Sequence, residues 1–162
     1  MSRYKIDSIR IFNFKVFDDF AIDFKTSSLV LLGGPNGYGK TTIFDAVELA
    51  LTGNIERFIK IDILGSSDNI VAKDDSKPVI IKIILSVKNQ KVEINRRLKQ
   101  VQKTKQNNKV SNFSNLWSLE LVENGNKNPI TQKQLEDIIG ENDFKDFYNS
   151  FFIFNKKRRH IF

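Results

Sequence analysis

The stretch Gly34–Thr41, GPNGYGKT, constrains this chain more than any other feature of its sequence. It matches G-x-x-x-x-G-K-[ST] at every fixed position. The spacing has a physical reason. Glycines let backbone N–H groups curl inward around phosphate oxygens without Cβ clashes. Lys40 would reach the β- and γ-phosphates as a point charge, and the Thr41 hydroxyl would ligate Mg²⁺. Thr42, one step into a following helix, would donate toward the α-phosphate, and the helix end would add its positive dipole. Tyr38 keeps a backbone N–H for the cradle while its ring points outward. Gly34, Pro35, Asn36, Gly37, Tyr38, Gly39, Lys40, Thr41 and Thr42 are therefore the expected nucleotide-binding residues, with ATP and Mg²⁺ as ligands.

The flanks suit that mechanism. Before the loop, SSLVLLGG is a short continuous apolar run closed by glycines, the pattern of a fully buried central strand. After it, KTTIFDAVELALTG places Ile43, Ala46, Val47, Ala50 and Leu51 on one helical face, with Gly53 where a C-cap belongs. Elsewhere, Tyr4–Phe14 and Phe20–Phe24 look like strands, with Asp18 and Asp19 suited to the turn between them. Pro78–Val87 and Lys91–Leu98 form two more strand-like runs joined through Asn89 and Gln90. Leu116–Glu123 is another, followed by an Asn124-Gly125 turn signal. Thr131 is a plausible N-cap for a short helix, QKQLEDIIG, and Asp143–Phe154 reads as helix passing into strand. The expected fold is α/β, a single domain over residues 1–162: a mixed sheet, a central P-loop helix and an antiparallel β subdomain.

Composition narrows the function classes. The chain has no cysteine, which excludes disulfides and thiolate zinc sites, and its one histidine, His160, argues against a His-based metal site or triad. No segment approaches the ~20 apolar residues of a membrane span, and residues 1–30 lack the apolar core of a secretory signal. A cytoplasmic protein with no membrane association is the expectation. Net charge is +7, and residues 88–109 hold eight Lys/Arg against one Glu. The tail adds Lys156–Arg159, which leaves the rest of the chain mildly acidic. Concentrated basic segments of this kind suit a polyanion or an acidic protein face, or are simply solvated loops.

The opening IDSIRIFNFKVFDDFAIDF, followed by LVLLGGPNGYGKTTIFDAVELALTG, resembles the N-terminal ATPase lobe of the SMC, RecF, RecN and SbcC class of ABC-type ATPases. This is the AAA-type P-loop group associated with DNA repair or defence. The matching elements are NF-K-x-F after the first strand, Asn36, the Asp45-Ala46 pair and LTG at the helix end. The likeness covers residues 1–53 well and the remainder loosely.

It implies a lobe built around a central parallel sheet, with a second lobe beyond a long coiled coil. It implies that Lys15 approaches the nucleotide, although a solvated surface lysine is the simpler alternative. It places Arg57 where relatives carry a nucleotide-contacting arginine, against the plainer reading of a loop cation. The surface after the P-loop helix tracks the DNA backbone in such proteins. Arg96, Arg97, Lys99, Lys103 and Lys105 become candidate DNA-binding residues.

Hydrolysis in that class also needs an apolar strand ending in Asp-Glu (Walker B), a Ser-Gly signature loop and a switch histidine. None is found in this sequence: IILSV leads to Lys88, LELVE leads to Asn124, and LGSS at 64–67 is a poor match. The expectation is a lobe that is hydrolysis-incompetent until a C-terminal lobe or second ATPase subunit joins it. A nucleotide-dependent dimer is expected of the complete protein. The alternative is a non-catalytic, nucleotide-gated adaptor in a multi-protein, defence-type complex.

FFIF resembles the last strand of such a lobe, where relatives place a glutamine, but Asn155 follows and then KKRRH. One choice of codons for Asn155–Phe162, read two nucleotides later, encodes Gln followed by acids. The tail therefore reads either as a native basic handle or as an out-of-frame continuation.

Overall fold

The computed structural model describes residues 5–24, 30–55, 71–74, 76–87, 90–98 and 116–140. Their elements are β1 (Lys5–Phe14), β2 (Phe17–Asp23), α1 (Lys40–Thr52), β3 (Ile80–Val87), β4 (Gln90–Leu98), β5 (Trp117–Glu123), β6 (Asn126–Pro129) and α2 (Gln132–Ile139). The fold is α/β. Six strands form one sheet in the order β2-β1-β3-β4-β5-β6.

Alternation of side chains gives the sheet two unlike faces. Ile9 and Ile11 of β1, Ile81, Ile83 and Leu85 of β3, Ile94 of β4 and Leu119 of β5 are buried on one of them. Register aligns these residues across the strands: Ile9 lies opposite Ile83, and Ile83 opposite Ile94. Each such aliphatic chain, fully buried, contributes about 1.5–3 kcal/mol. The opposite face carries Arg10, Lys82 and Glu93, with Arg10 opposite Lys82.

Helix α1 packs on β1, β3 and β4. Its expected inner face is buried, and so are Thr42, Asp45, Glu48 and Leu49, so the helix is enclosed well beyond a single stripe. Gly53 ends it in the left-handed region at φ 75°, donating its N–H to Leu49 O at 2.9 Å. Helix α2 starts on a capping box. Thr131 Oγ1 accepts from Gln134 N, and the Gln134 side chain accepts from Thr131 N.

Two expectations need correction. Every strand pair among the described residues is antiparallel, so the mixed sheet with a parallel centre is not found there. The segment meant to form that centre explains why: Val30–Gly34 carries no strand, and Leu31 is 83% exposed. A strand buried on both faces needs sheet neighbours on both sides, and no described element supplies them.

Second, Asp18 and Asp19 lie within β2, and the hairpin turns instead through Lys15 and Val16, where Phe14 pairs with Phe17. Arg10 holds Asp19 in the strand through two hydrogen bonds, Nε to Oδ1 at 3.0 Å and Nη2 to Oδ2 at 2.6 Å. Beyond the Asn124-Gly125 turn, Asn126–Pro129 extends the sheet as β6, an exposed edge strand where proline is tolerated. The readings for Asp143–Phe154 and for the tail Asn155–Phe162 lie outside the described residues. No helix among the described residues is long and apolar enough to cross a membrane.

Candidate nucleotide-binding site

The glycine loop leads directly into α1, whose first residue is Lys40. Gly34, Gly37 and Gly39 all have positive φ, at 137°, 88° and 86°. L-residues rarely adopt this region, so the glycines are dictated by the backbone path. At Gly34 and Gly37 a Cβ would meet nothing within 4 Å. The space beside them is open, so nothing obstructs a phosphate there.

Gly39 is different. A Cβ there would fall 2.5 Å from Phe17 Cζ and 3.0 Å from Val16 Cγ2, so the β1–β2 turn packs directly against the loop. Gly39 O accepts the first bond of α1 from Ile43 N at 3.1 Å. The remaining N-terminal amides of the helix face the loop side without a side-chain cap.

Lys40 folds over this loop and donates from Nζ to the carbonyls of Gly34 and Pro35. Its ammonium thus already stands at the mouth of the cradle. Thr41 is exposed in the first turn and Thr42 is buried at 6% exposure. Thr41 is therefore the hydroxyl free to meet a metal ion, whereas Thr42 is enclosed. Asn36 and Tyr38 are exposed, Tyr38 at 75%, which agrees with a ring directed away from the loop. Open glycines, a cation at the mouth and an exposed hydroxyl fit a Mg²⁺-bound polyphosphate chemically: Lys40 would hold phosphate oxygen and Thr41 the metal.

Behind the loop, the NF-K-x-F segment acts as a clamp. Asn13 sits at φ 52° and is 1% exposed. Its Nδ2 donates to Asp74 O at 2.8 Å and Lys77 O at 2.9 Å, while its Oδ1 accepts from Asp74 N at 2.8 Å. Lys15 N donates to Val71 O at 2.6 Å, and Phe14 bridges to Ala72. Lys15 also has positive φ, 52°, which turns its side chain back onto α1. Its Nζ lies 2.7 Å from Asp45 Oδ2, with the two side chains 14% and 4% exposed. Lys15 thus sits beside the start of α1 with its charge held by a carboxylate. Asp45 and Asn13 are site residues that spacing rules do not flag. The signal for both was the resemblance, whose matching elements include the NF of NF-K-x-F and the Asp45-Ala46 pair.

The basic candidates separate. Arg96 is 5% exposed and its guanidinium points inside, where Nη2 donates to Ala50 O at 2.9 Å and Gln132 Oε1 at 2.7 Å. An inward guanidinium cannot reach a phosphate backbone, so Arg96 leaves the DNA-contact set. The cause is the register of β4, where Arg96 shares the buried face with Ile94 and Leu98. Burial pushes its pKa down to about 10, which still leaves it charged at neutral pH. Arg97 is exposed on the opposite face. Lys99, Lys103, Lys105 and Arg57 lie outside the described residues.

None of the curated proteins compared with the chain matches it. A family model described as AAA domain matches residues 8–162, nearly the whole chain, with the glycine loop and α1 inside the match. Loop, helix and family agree on a nucleotide-binding, ATPase-like module, and the chain belongs to the AAA domain family of P-loop ATPases.

Proposed function

We propose that this chain is the ATP·Mg-binding N-terminal lobe of an SMC- or SbcC-like, DNA-associated ATPase, and that it hydrolyses ATP only when a C-terminal lobe or second ATPase subunit completes it. The observation that carries this reading is the juxtaposition of an open phosphate cradle with an uncovered apolar approach. Leu31 is 83% and Val30 43% exposed immediately before the loop, and Val16 and Tyr38 are exposed at its rim. A run of this composition belongs inside a sheet, and a completing lobe that supplies strands would bury it.

In this reading Gly34–Gly39 cradle the phosphates with their backbone N–H groups, Lys40 neutralises them and Thr41 ligates Mg²⁺. Lys15 stays near the nucleotide while paired with Asp45. Arg97, with Lys99, Lys103 and Lys105 beyond it, would contact DNA phosphates without reading sequence, so binding would weaken steeply with salt. The test is steady-state ATP hydrolysis by the chain alone and by the chain with a C-terminal lobe of the same class. The proposal expects turnover only in the pair. Turnover by the chain alone contradicts it, and nucleotide binding without turnover in either case identifies a non-catalytic adaptor instead.

A further inference from the structure

The far end of α1 is held by a charged device that no part of the nucleotide reading requires. Arg96 Nη2 bonds Ala50 O, and Gln132 Nε2, from the first turn of α2, donates to Leu51 O at 2.6 Å. The two side chains are joined to each other through Arg96 Nη2 and Gln132 Oε1 at 2.7 Å. Together they occupy two of the carbonyls that a helix C-terminus leaves without an intrahelical partner. They meet over the glycine cap, where Gly53's missing side chain leaves room: a Cβ there would lie 3.4 Å from Arg96 Nη1 and 3.6 Å from Gln132 Oε1.

Stability alone does not call for this arrangement. Replacing a buried charge by an apolar chain of similar volume is often neutral or stabilising. Arg96 Nε has no hydrogen-bond partner among the described residues, so the burial is only partly compensated. Nor does α2 need Gln132 for its own start, because the capping box uses Thr131 and Gln134. What the clasp does control is the axial position of α1. That helix is 13 residues long, so its two ends stand about 20 Å apart. Its other end presents the amides that would face phosphate, beside a cradle that is open at Gly34 and Gly37.

We propose that Arg96 and Gln132 are positioning residues for the phosphate loop, fixing α1 from its C-terminal end so that its N-terminal amides keep their place against a bound polyphosphate. The proposal rests on the nucleotide-binding reading and extends it to a contact with α2. Movement of α2 would then reach the nucleotide through Gln132 and Arg96.

The full chain tests this through Arg96→Met, Gln132→Leu and Arg96→Lys, with a fluorescent ATP analogue and inorganic tripolyphosphate as ligands. Arg96→Met and Gln132→Leu are expected to bind both ligands about tenfold more weakly. Arg96→Lys keeps a charged donor on a shorter side chain for the bonds that Nη2 makes to Ala50 O and Gln132 Oε1, and is expected to fall between them and the unmutated chain. Folded variants that bind both ligands with unaltered affinity overturn the proposal. If Arg96→Met does not fold, Gln132→Leu decides, because Gln132 is only half-buried and α2 retains its cap.

Hydrogen exchange of the first hydrogen-bonded amides of α1, from Ile43 onward, in the ligand-free chain gives a readout that does not depend on nucleotide. Faster exchange in Gln132→Leu supports the clasp, and unchanged exchange overturns it. Failure of the unmutated chain to bind either ligand would instead sink the nucleotide reading itself.

Discussion

Lys15 and Asp45 form an ion pair of 2.7 Å between the β1–β2 turn and the first half of α1, with both side chains largely out of water. The turn that carries Lys15 also presses Phe17 and Val16 onto Gly39. One short hairpin turn therefore sets both the backbone of the phosphate loop and the helix that follows it. Removing one partner of a buried ion pair is costly, up to about 3–5 kcal/mol. Lys15→Met is expected to lower stability by roughly 3 kcal/mol in urea unfolding, and Lys15→Met with Asp45→Leu to recover most of that loss. A double variant as unstable as the single one would show that the pair is not the source.

The glycines of the loop should differ in what they tolerate. Gly37→Ala meets open space and bears only the left-handed backbone penalty, about 1–2 kcal/mol. Gly39→Ala bears the same penalty and also drives a methyl into Phe17, so its loss in urea unfolding should be clearly larger. Adding Phe17→Leu should return part of the difference. Equal losses at the two positions would contradict the packing of the turn on Gly39.

Asn13 ties the end of β1 to Asp74 and Lys77 through three hydrogen bonds of one buried amide group. Asn13→Ala leaves backbone groups of Asp74 and Lys77 without those partners and is expected to cost about 2–4 kcal/mol. Asn13→Asp keeps the acceptor but sets a carboxylate oxygen against the two carbonyls in a buried site, and should lose at least as much. Thermal or urea unfolding of the two variants checks the order.

Asp74 supplies a pH signature for the same loop. The Ser76 hydroxyl and N–H, with Lys77 beside them, hold its carboxyl down at about 2 against an ordinary value of 3.8. A depressed carboxylate stabilises the fold above its unfolded value, and the contribution fades as pH falls through the folded one. The stability gap between the unmutated chain and Asp74→Asn should therefore be constant near neutrality and narrow between about pH 4 and pH 2. A gap that persists at pH 2 would contradict the assignment.

Much of this arrangement was legible in the residues, for identifiable reasons. Local rules govern α1: an apolar helical face, a left-handed glycine cap and a loop pattern whose glycines are forced by positive φ. They govern the box at Thr131 equally well. The sheet was less legible because pairing is non-local. SSLVLLGG has the composition of a buried strand, yet composition does not supply neighbours, and Leu31 stands exposed. Charge was misleading at Arg96, where the two-residue period of β4 turns one of two adjacent arginines inward and the other out. The carboxylate partner of Lys15 lies thirty residues on, beyond the reach of any spacing rule.

The central claim is that residues 34–42 bind a Mg²⁺-polyphosphate through the glycine cradle and Lys40. Calorimetric titration of ATP with Mg²⁺ into the full chain, beside the same titration into Lys40→Ala, tests it most directly. The account predicts saturable 1:1 binding by the unmutated chain and a loss of at least about tenfold in Lys40→Ala, with both proteins folded. No binding by the unmutated chain, or equal affinity in the two proteins, would contradict it.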